Sequence, residues 1–215
     1  MFKTYLYNPI YDFVIFLYNN WAFHDLGIAI ILLTLLLRLV LFPLFYKGAK
    51  NQLILQKLQP EIQKIQHDHK DNKEKQAQEM MGLYKKYKVN PLSSFLIILI
   101  QLPILIALYQ VILSGDFSGI NTLFLGLINL KTKSIFIVGL AALAQYYQGV
   151  LTLPPAVKGR ELSQPEKMGR YMVYFGPVFT LFILTTLPSA VGLYWLATSV
   201  FSIIQQIYIN KTVKI

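Results

Sequence analysis

Cysteine is missing from the whole chain, and with it go disulfide staples, thiolate zinc sites and a lipid-modified N-terminal cysteine. Acidic residues are scarce, with Asp and Glu totalling 10 against 20 Lys and Arg. None of the ten lies within the predicted spans. That excludes an intramembrane carboxylate pair of the kind that proton relays use. A glycine-rich phosphate loop and a nucleophile elbow are also absent. The chain is therefore expected not to be an enzyme and to need no cofactor.

Apolar residues are what the sequence has in abundance. At 55% hydrophobic over 215 residues, it is too apolar for an ordinary soluble domain and reads as a polytopic membrane protein. No charge occurs over 89–115, 134–157 or 171–210, and Arg38 is the only one in 26–46. The run from 171 is long enough for two spans, and Leu187-Pro188-Ser189-Ala190 supplies the break between them. The predicted fold is all-α, a single domain over 1–215 with five transmembrane helices at about 26–46, 92–113, 134–153, 171–187 and 190–210.

The net charge of +10 is distributed as membrane topology would have it, and no nucleic-acid partner is expected. Ten lysines fall in 47–91, Lys158, Arg160, Lys167 and Arg170 in the next loop on that side, and Lys211 and Lys214 in the tail. The opposite side has Lys3, Lys131 and Lys133. The positive-inside rule then puts the N-terminus outside and the C-terminus in the cytoplasm of a cell membrane, as five spans require.

No cleavable signal precedes the first span. Residues 8–22, NPIYDFVIFLYNNWA, read as a short helix on the outer interface, with Tyr7, Tyr11, Tyr18 and Trp21 at headgroup level. Segment 47–91 reads as a cytoplasmic helical hairpin. Its first helix, beginning near Lys47, carries Leu55, Leu58, Ile62 and Ile65, and its second carries Ala77, Met80, Leu83, Tyr84 and Tyr87. The stripes either close the hairpin on itself or meet a partner, a lipid surface or an incoming chain. His67 and His69 stand two apart with no third His or Cys nearby, so no metal site is expected.

Arg38 is the costly residue. A guanidinium stays charged at any physiological pH, and burying it at the centre of a membrane helix costs about 2.5–3.5 kcal/mol on insertion scales. One reading is that it snorkels to an interface, but Lys47 lies nine residues on, about 13 Å along a helix. No resident carboxylate is available to it, so its partners are water, lipid phosphate or something transient. Water at that depth needs a polar cavity. Candidate liners are Thr34, Gln101, Gln110, Gln145, Gln148, Gln205 and Gln206, with Gln145 and Gln148 on one helix face.

Four segments then carry a family resemblance: LLTLLLRLVLFPL at 32–44, LQPEIQKIQ at 58–66, LYKKYKVNPL with LIQLPILIALYQ across 83–110, and FGPVFTLF, LPSAVGLYW and IIQQ in the last two spans. In order and spacing the chain resembles the YidC/Oxa1/Alb3 family of membrane protein insertases. The resemblance implies five helices around a hydrophilic groove that is closed outside and open to cytoplasm and lipid. It places Arg38 in that groove and, by position, Gln145 or Gln148 and Trp195 as well. It further implies nascent membrane proteins as substrates, with the ribosome and the Sec translocon as candidate partners.

The chain also departs from the family pattern. Where the family commonly has a cysteine and a proline early in the second span, this chain reads SSFLIILIQ at 93–101. It reads as the five-span form without a lipidated leader. Only Lys211 to Ile215 follow Asn210, so ribosome docking would fall to the hairpin and to the loop around Arg160 to Arg170. Two rival readings stand beside the insertase: a non-inserting scaffold subunit of a translocation complex, and a small transporter in which Arg38 selects an anion.

Overall fold

A π-helical turn at Lys3–Tyr7 leads without a gap into α1, Asn8–Asn20, with Pro9 at the junction. Ile10, Val14, Leu17 and Tyr18 form its buried face. The computed structural model describes residues 3–90, 92–115, 117–153 and 164–212; Lys158, Arg160 and Lys214 lie outside the described residues. Within them α1 packs on protein through this face. Tyr18 is buried against protein, and its hydroxyl accepts from Asn121 N at 2.8 Å. Trp21 remains exposed.

α2, Leu26–Val40, starts at an aspartate that binds two segments. Asp25 Oδ1 accepts from Gly27 N at 2.7 Å and Ile28 N at 3.0 Å, an N-cap that satisfies otherwise orphaned donors. Its Oδ2 accepts from Leu125 N at 2.6 Å. Leu125 belongs to a small antiparallel ribbon, β1 Leu123–Phe124 and β2 Ile128–Asn129, whose turn uses positive φ at Leu125 (52°) and Gly126 (71°). The fold is mostly helical, and this ribbon is the departure from the all-α expectation; two-residue strands are too short to leave an alternating pattern in sequence. Phe124 packs against α2, where a Cβ on Gly27 would come within 2.2 Å of its ring. Ser189 N and Oγ both donate to Thr132 O, at 2.8 and 2.5 Å. Residues 117–134 thus sit across the ends of α1, α2 and the last helix.

The span expected at about 26–46 is bent. α2 stops at Val40, and α3, Phe42–Lys57, leaves it at 69°. Pro43 is the cause: it has no N–H to give Leu39, and its ring would clash with that carbonyl in a continued helix. Pro60 does the same further on, so the expected first hairpin helix is two, α3 and α4, Gln59–Asp68. α5, Lys73–Lys86, returns after a turn capped by Asn72, whose Oδ1 accepts from Lys75 N at 3.0 Å. Ile54, Leu58 and Ile62 meet Leu83 and Val89 in a separate small core, with Met80, Tyr84 and Tyr87 around it. The stripes therefore close the hairpin on itself. Ala77 is left exposed.

α6, Ser93–Ser114, α7, Ile135–Leu151, α8, Gln164–Leu184, and α9, Ser189–Thr212, complete the chain. Among the described residues, α9 is long and apolar enough to cross a membrane, the bent α2–α3 pair passes jointly, and 99–113 and α7 are shorter apolar helices. Leu17, Ile30, Leu33, Leu108, Ile137 and Leu184 are fully buried between the helices. The outer faces are apolar too. Leu96, Leu99, Leu102 and Ile106 on α6, and Tyr171, Phe175, Phe179 and Phe182 on α8, are exposed, a surface larger and more apolar than water favours.

Candidate functional site

The break at Leu41 makes Arg38 a residue of α2's last turn. Carbonyls without helical partners gather at such an end and carry a partial negative charge that favours a cation. The bend also turns Phe45 of α3 back toward α2. The Arg38 guanidinium carbon lies 4.3 Å from the Phe45 ring centroid and 6.0 Å from that of Phe201 on α9. Arg38 is only 8% exposed, and the ion pairs among the described residues are His67 with Asp68 and His69 with Glu79. A desolvated cation–π contact contributes about 2 kcal/mol, and a helix C-terminus about 0.3–1 kcal/mol. Together they offset most of the 2.5–3.5 kcal/mol or so that burial costs. The charge is thus held without being neutralised.

Beside it lies a cavity of about 510 Å³, room for on the order of fifteen waters. Arg38, Gln101, Gln148 and Trp195, all singled out from sequence, line it. Gln101 Nε2 donates to the hydroxyl of Tyr194, a further liner, and so joins α6 to α9. Gln52 of α3, Thr152 after α7, and Gln205 and Gln206 near the end of α9 also line it. The cavity therefore extends from Arg38 toward the hairpin end of the molecule, away from the ribbon at 117–134.

Thr34 and Gln145 are placed elsewhere. Thr34 donates to Ile30 O at 2.7 Å and borders a recess of about 10 Å³ beneath Arg38, not the main cavity. Gln145 is a joint between three helices: its Oε1 accepts from Thr180 Oγ1 on α8 at 2.8 Å and from Trp195 Nε1 on α9 at 2.6 Å. Gly176 of α8 makes room for it, since a Cβ there would meet Gln145 Nε2 at 3.3 Å. Gln145 fixes the Trp195 ring that lines the cavity, while Gln148, one turn on, faces the cavity itself. Gln110 is exposed on α6 and does not line it.

Sequence reasoning missed Tyr194, Thr198, Ser202, Phe45 and Gln52 as liners. A signal existed for three of them. Tyr194, Thr198, Ser202 and Gln205 are spaced 4, 4 and 3, a polar stripe at helical period along α9. Phe45 left none, since one more aromatic in an apolar segment is unremarkable by type.

The chain has relatives that share its outline. A family model described as "60Kd inner membrane protein" matches residues 16–215. The membrane protein insertase YidC of Fusobacterium nucleatum is 34% identical over 217 residues, which cover 97% of this chain and 98% of that protein. The same-named protein of Syntrophus aciditrophicus is 34% identical over 205 residues, 91% of this chain but 34% of its own. This chain thus spans about a third of one relative and nearly all of the other. Among solved structures, an active YidC insertase crystal structure with its first transmembrane domain resolved superposes with a TM-score of 0.66 at 27% identity, over 94% of this chain and 45% of that one.

Proposed function

The chain belongs to the 60Kd inner membrane protein family, that of the YidC insertases, and on that premise we propose that it inserts membrane proteins through the Arg38 cavity. The observation that carries this reading is a buried arginine, ion-paired with no described residue, lining a cavity of about 510 Å³ whose largely apolar wall is set with glutamines, Tyr194, Thr198 and Ser202. Five spans, an outer N-terminus and a cytoplasmic hairpin are the topology proposed with it, supported by the uncharged runs and by the lysines of 47–91.

The polar tail of a nascent chain enters from the hairpin end and is hydrated there by the glutamines and by water. A carboxylate on that tail meets Arg38. At 4 Å such a pair gains about 1 kcal/mol in water but about 4 kcal/mol at an effective dielectric of 20, so the attraction grows as the tail moves inward. The tail then crosses only the remaining thickness of hydrocarbon, which lowers the barrier to moving polar groups through it. The substrate's apolar segment passes along the exposed aliphatic and aromatic faces of α6 and α8 and partitions into lipid. That transfer drives release, since each buried CH₂ contributes about 0.8 kcal/mol. No bond is made or broken, and no cofactor takes part.

Reconstitution tests this directly. Purified protein in liposomes is expected to insert a short single-span substrate without an added energy source. Solute flux without insertion would support an anion transporter instead. Failure of both, with insertion restored only by a translocon, would support a scaffold.

A further inference from the structure

A second cavity, of about 340 Å³, lies at the root of the hairpin and shares no lining residue with the first. α3 is the wall between them: Ala49 and Gln52 face the Arg38 cavity, while Lys47 and Asn51, one turn apart, face the other. Tyr84 and Lys85 reach it from the end of α5, and Lys88 and Asn90 from the connection to α6. Among the described residues, no carboxylate lines it. The nearby acids are engaged elsewhere, Glu61 accepting from Tyr87 Oη at 3.1 Å and Glu79 meeting His69 at 3.0 Å. None of the three lysines is ion-paired with a described residue.

The backbone that carries them is fixed. Lys88 has φ 52°, a turn closed by Val89 N donating to Tyr84 O at 3.0 Å and Lys88 N to Lys85 O at 3.1 Å. Buried Asn51 donates to Ser93 Oγ at 3.1 Å and so ties α3 to the start of α6. A lysine in the last turn of a helix complements its dipole, which accounts for Lys85. It accounts for neither Lys47, early in α3, nor Lys88, beyond α5. Three exposed lysines line one concavity, and their flexible side chains suit a phosphate, which each ammonium meets as a compact point charge. Two residues after Asn90 the chain reaches Leu92, which is exposed, as are Leu96 and Leu99 along α6. The basic cavity thus adjoins the start of an apolar flank.

We propose that this cavity binds the phosphate headgroup of an anionic phospholipid, with the acyl chains lying along α6. A zwitterionic headgroup brings its own cation, which the lysines repel. The site would hold the hairpin root at the membrane surface, whatever passes through the Arg38 cavity.

The full chain in detergent, titrated with phosphatidylglycerol or phosphatidylcholine and read by native mass spectrometry, tests this. One phosphatidylglycerol is expected to be retained at least tenfold more tightly than phosphatidylcholine. Neutralising Lys47, Lys85 and Lys88 together to Gln should weaken it roughly 100-fold, about fivefold per lysine. The same change at Lys64, Lys70 and Lys73 should alter it less than twofold. If the triple root variant loses its helical circular dichroism, Lys88→Gln alone is read, with a fivefold loss expected. Equal losses from root and tip variants, or no preference for phosphatidylglycerol, would overturn the proposal. Displacement of the lipid by an equal concentration of inorganic phosphate would overturn the lipid assignment.

Discussion

Arg38 and Phe45 face each other across a 69° bend, the guanidinium carbon 4.3 Å from the ring centroid. In a straight helix, residues seven apart lie about 10 Å apart along the axis, and this contact would not form. Pro43 therefore does two things. It ends α2 so that Arg38 gains a helix C-terminus, and it delivers the aromatic face against which the cation rests. The charge is kept available at the edge of the cavity.

A double-mutant cycle measures that contact. Phe45→Leu, Arg38→Met and the double variant, unfolded in mixed micelles, should give a coupling of about 1–2 kcal/mol. Additivity within about 0.3 kcal/mol would mean that the ring does not hold the cation.

The two glutamines of α7 should behave differently. Gln145→Leu leaves the Trp195 N–H and the Thr180 hydroxyl without their acceptor and should destabilise by about 1–3 kcal/mol. Gln148→Leu should change stability by less than about 0.5 kcal/mol while slowing insertion of a substrate with a polar tail. Matching stability losses from unfolding curves would show that both are structural.

Single-cysteine labelling exploits a chain with no cysteine of its own. Thiols at Gln148 and Ser202, both cavity liners, should react with a membrane-impermeant reagent added from the hairpin side. Thiols at Gln145 and Thr34 should react at least tenfold more slowly. Protection of all four would mean that the cavity is dry.

How much of this was legible in sequence follows from what each residue displaces. Arg38 stood out because it interrupts an uncharged run, and Gln101 and Gln148 because polar groups are few in the spans, while Trp195 came only with the family resemblance. The bend was not read. Pro43 lies in an apolar stretch, and hydropathy alone continues 26–46 through it as one span. Gln145 and Gln148 could not be separated, since three residues apart they differ by only about 60° around a helix. Only the positions of Thr180 and Trp195 decide which of the two becomes a joint. The hairpin's stripes were visible, and what they pack against emerged only with α5 folded back on α3 and α4. The ribbon at Leu123–Phe124 and Ile128–Asn129 was beyond reach, because its stability comes from Asp25 and Gly27 a hundred residues earlier.

The most direct test is of the charge itself. Wild type, Arg38→Lys and Arg38→Ala are reconstituted in liposomes and given one single-span substrate with an acidic tail and one with the tail neutralised. Insertion of the acidic substrate should fall at least tenfold in Arg38→Ala and be largely retained in Arg38→Lys, while the neutral one changes little. Equal insertion of the acidic substrate by wild type and Arg38→Ala would contradict the role given to Arg38.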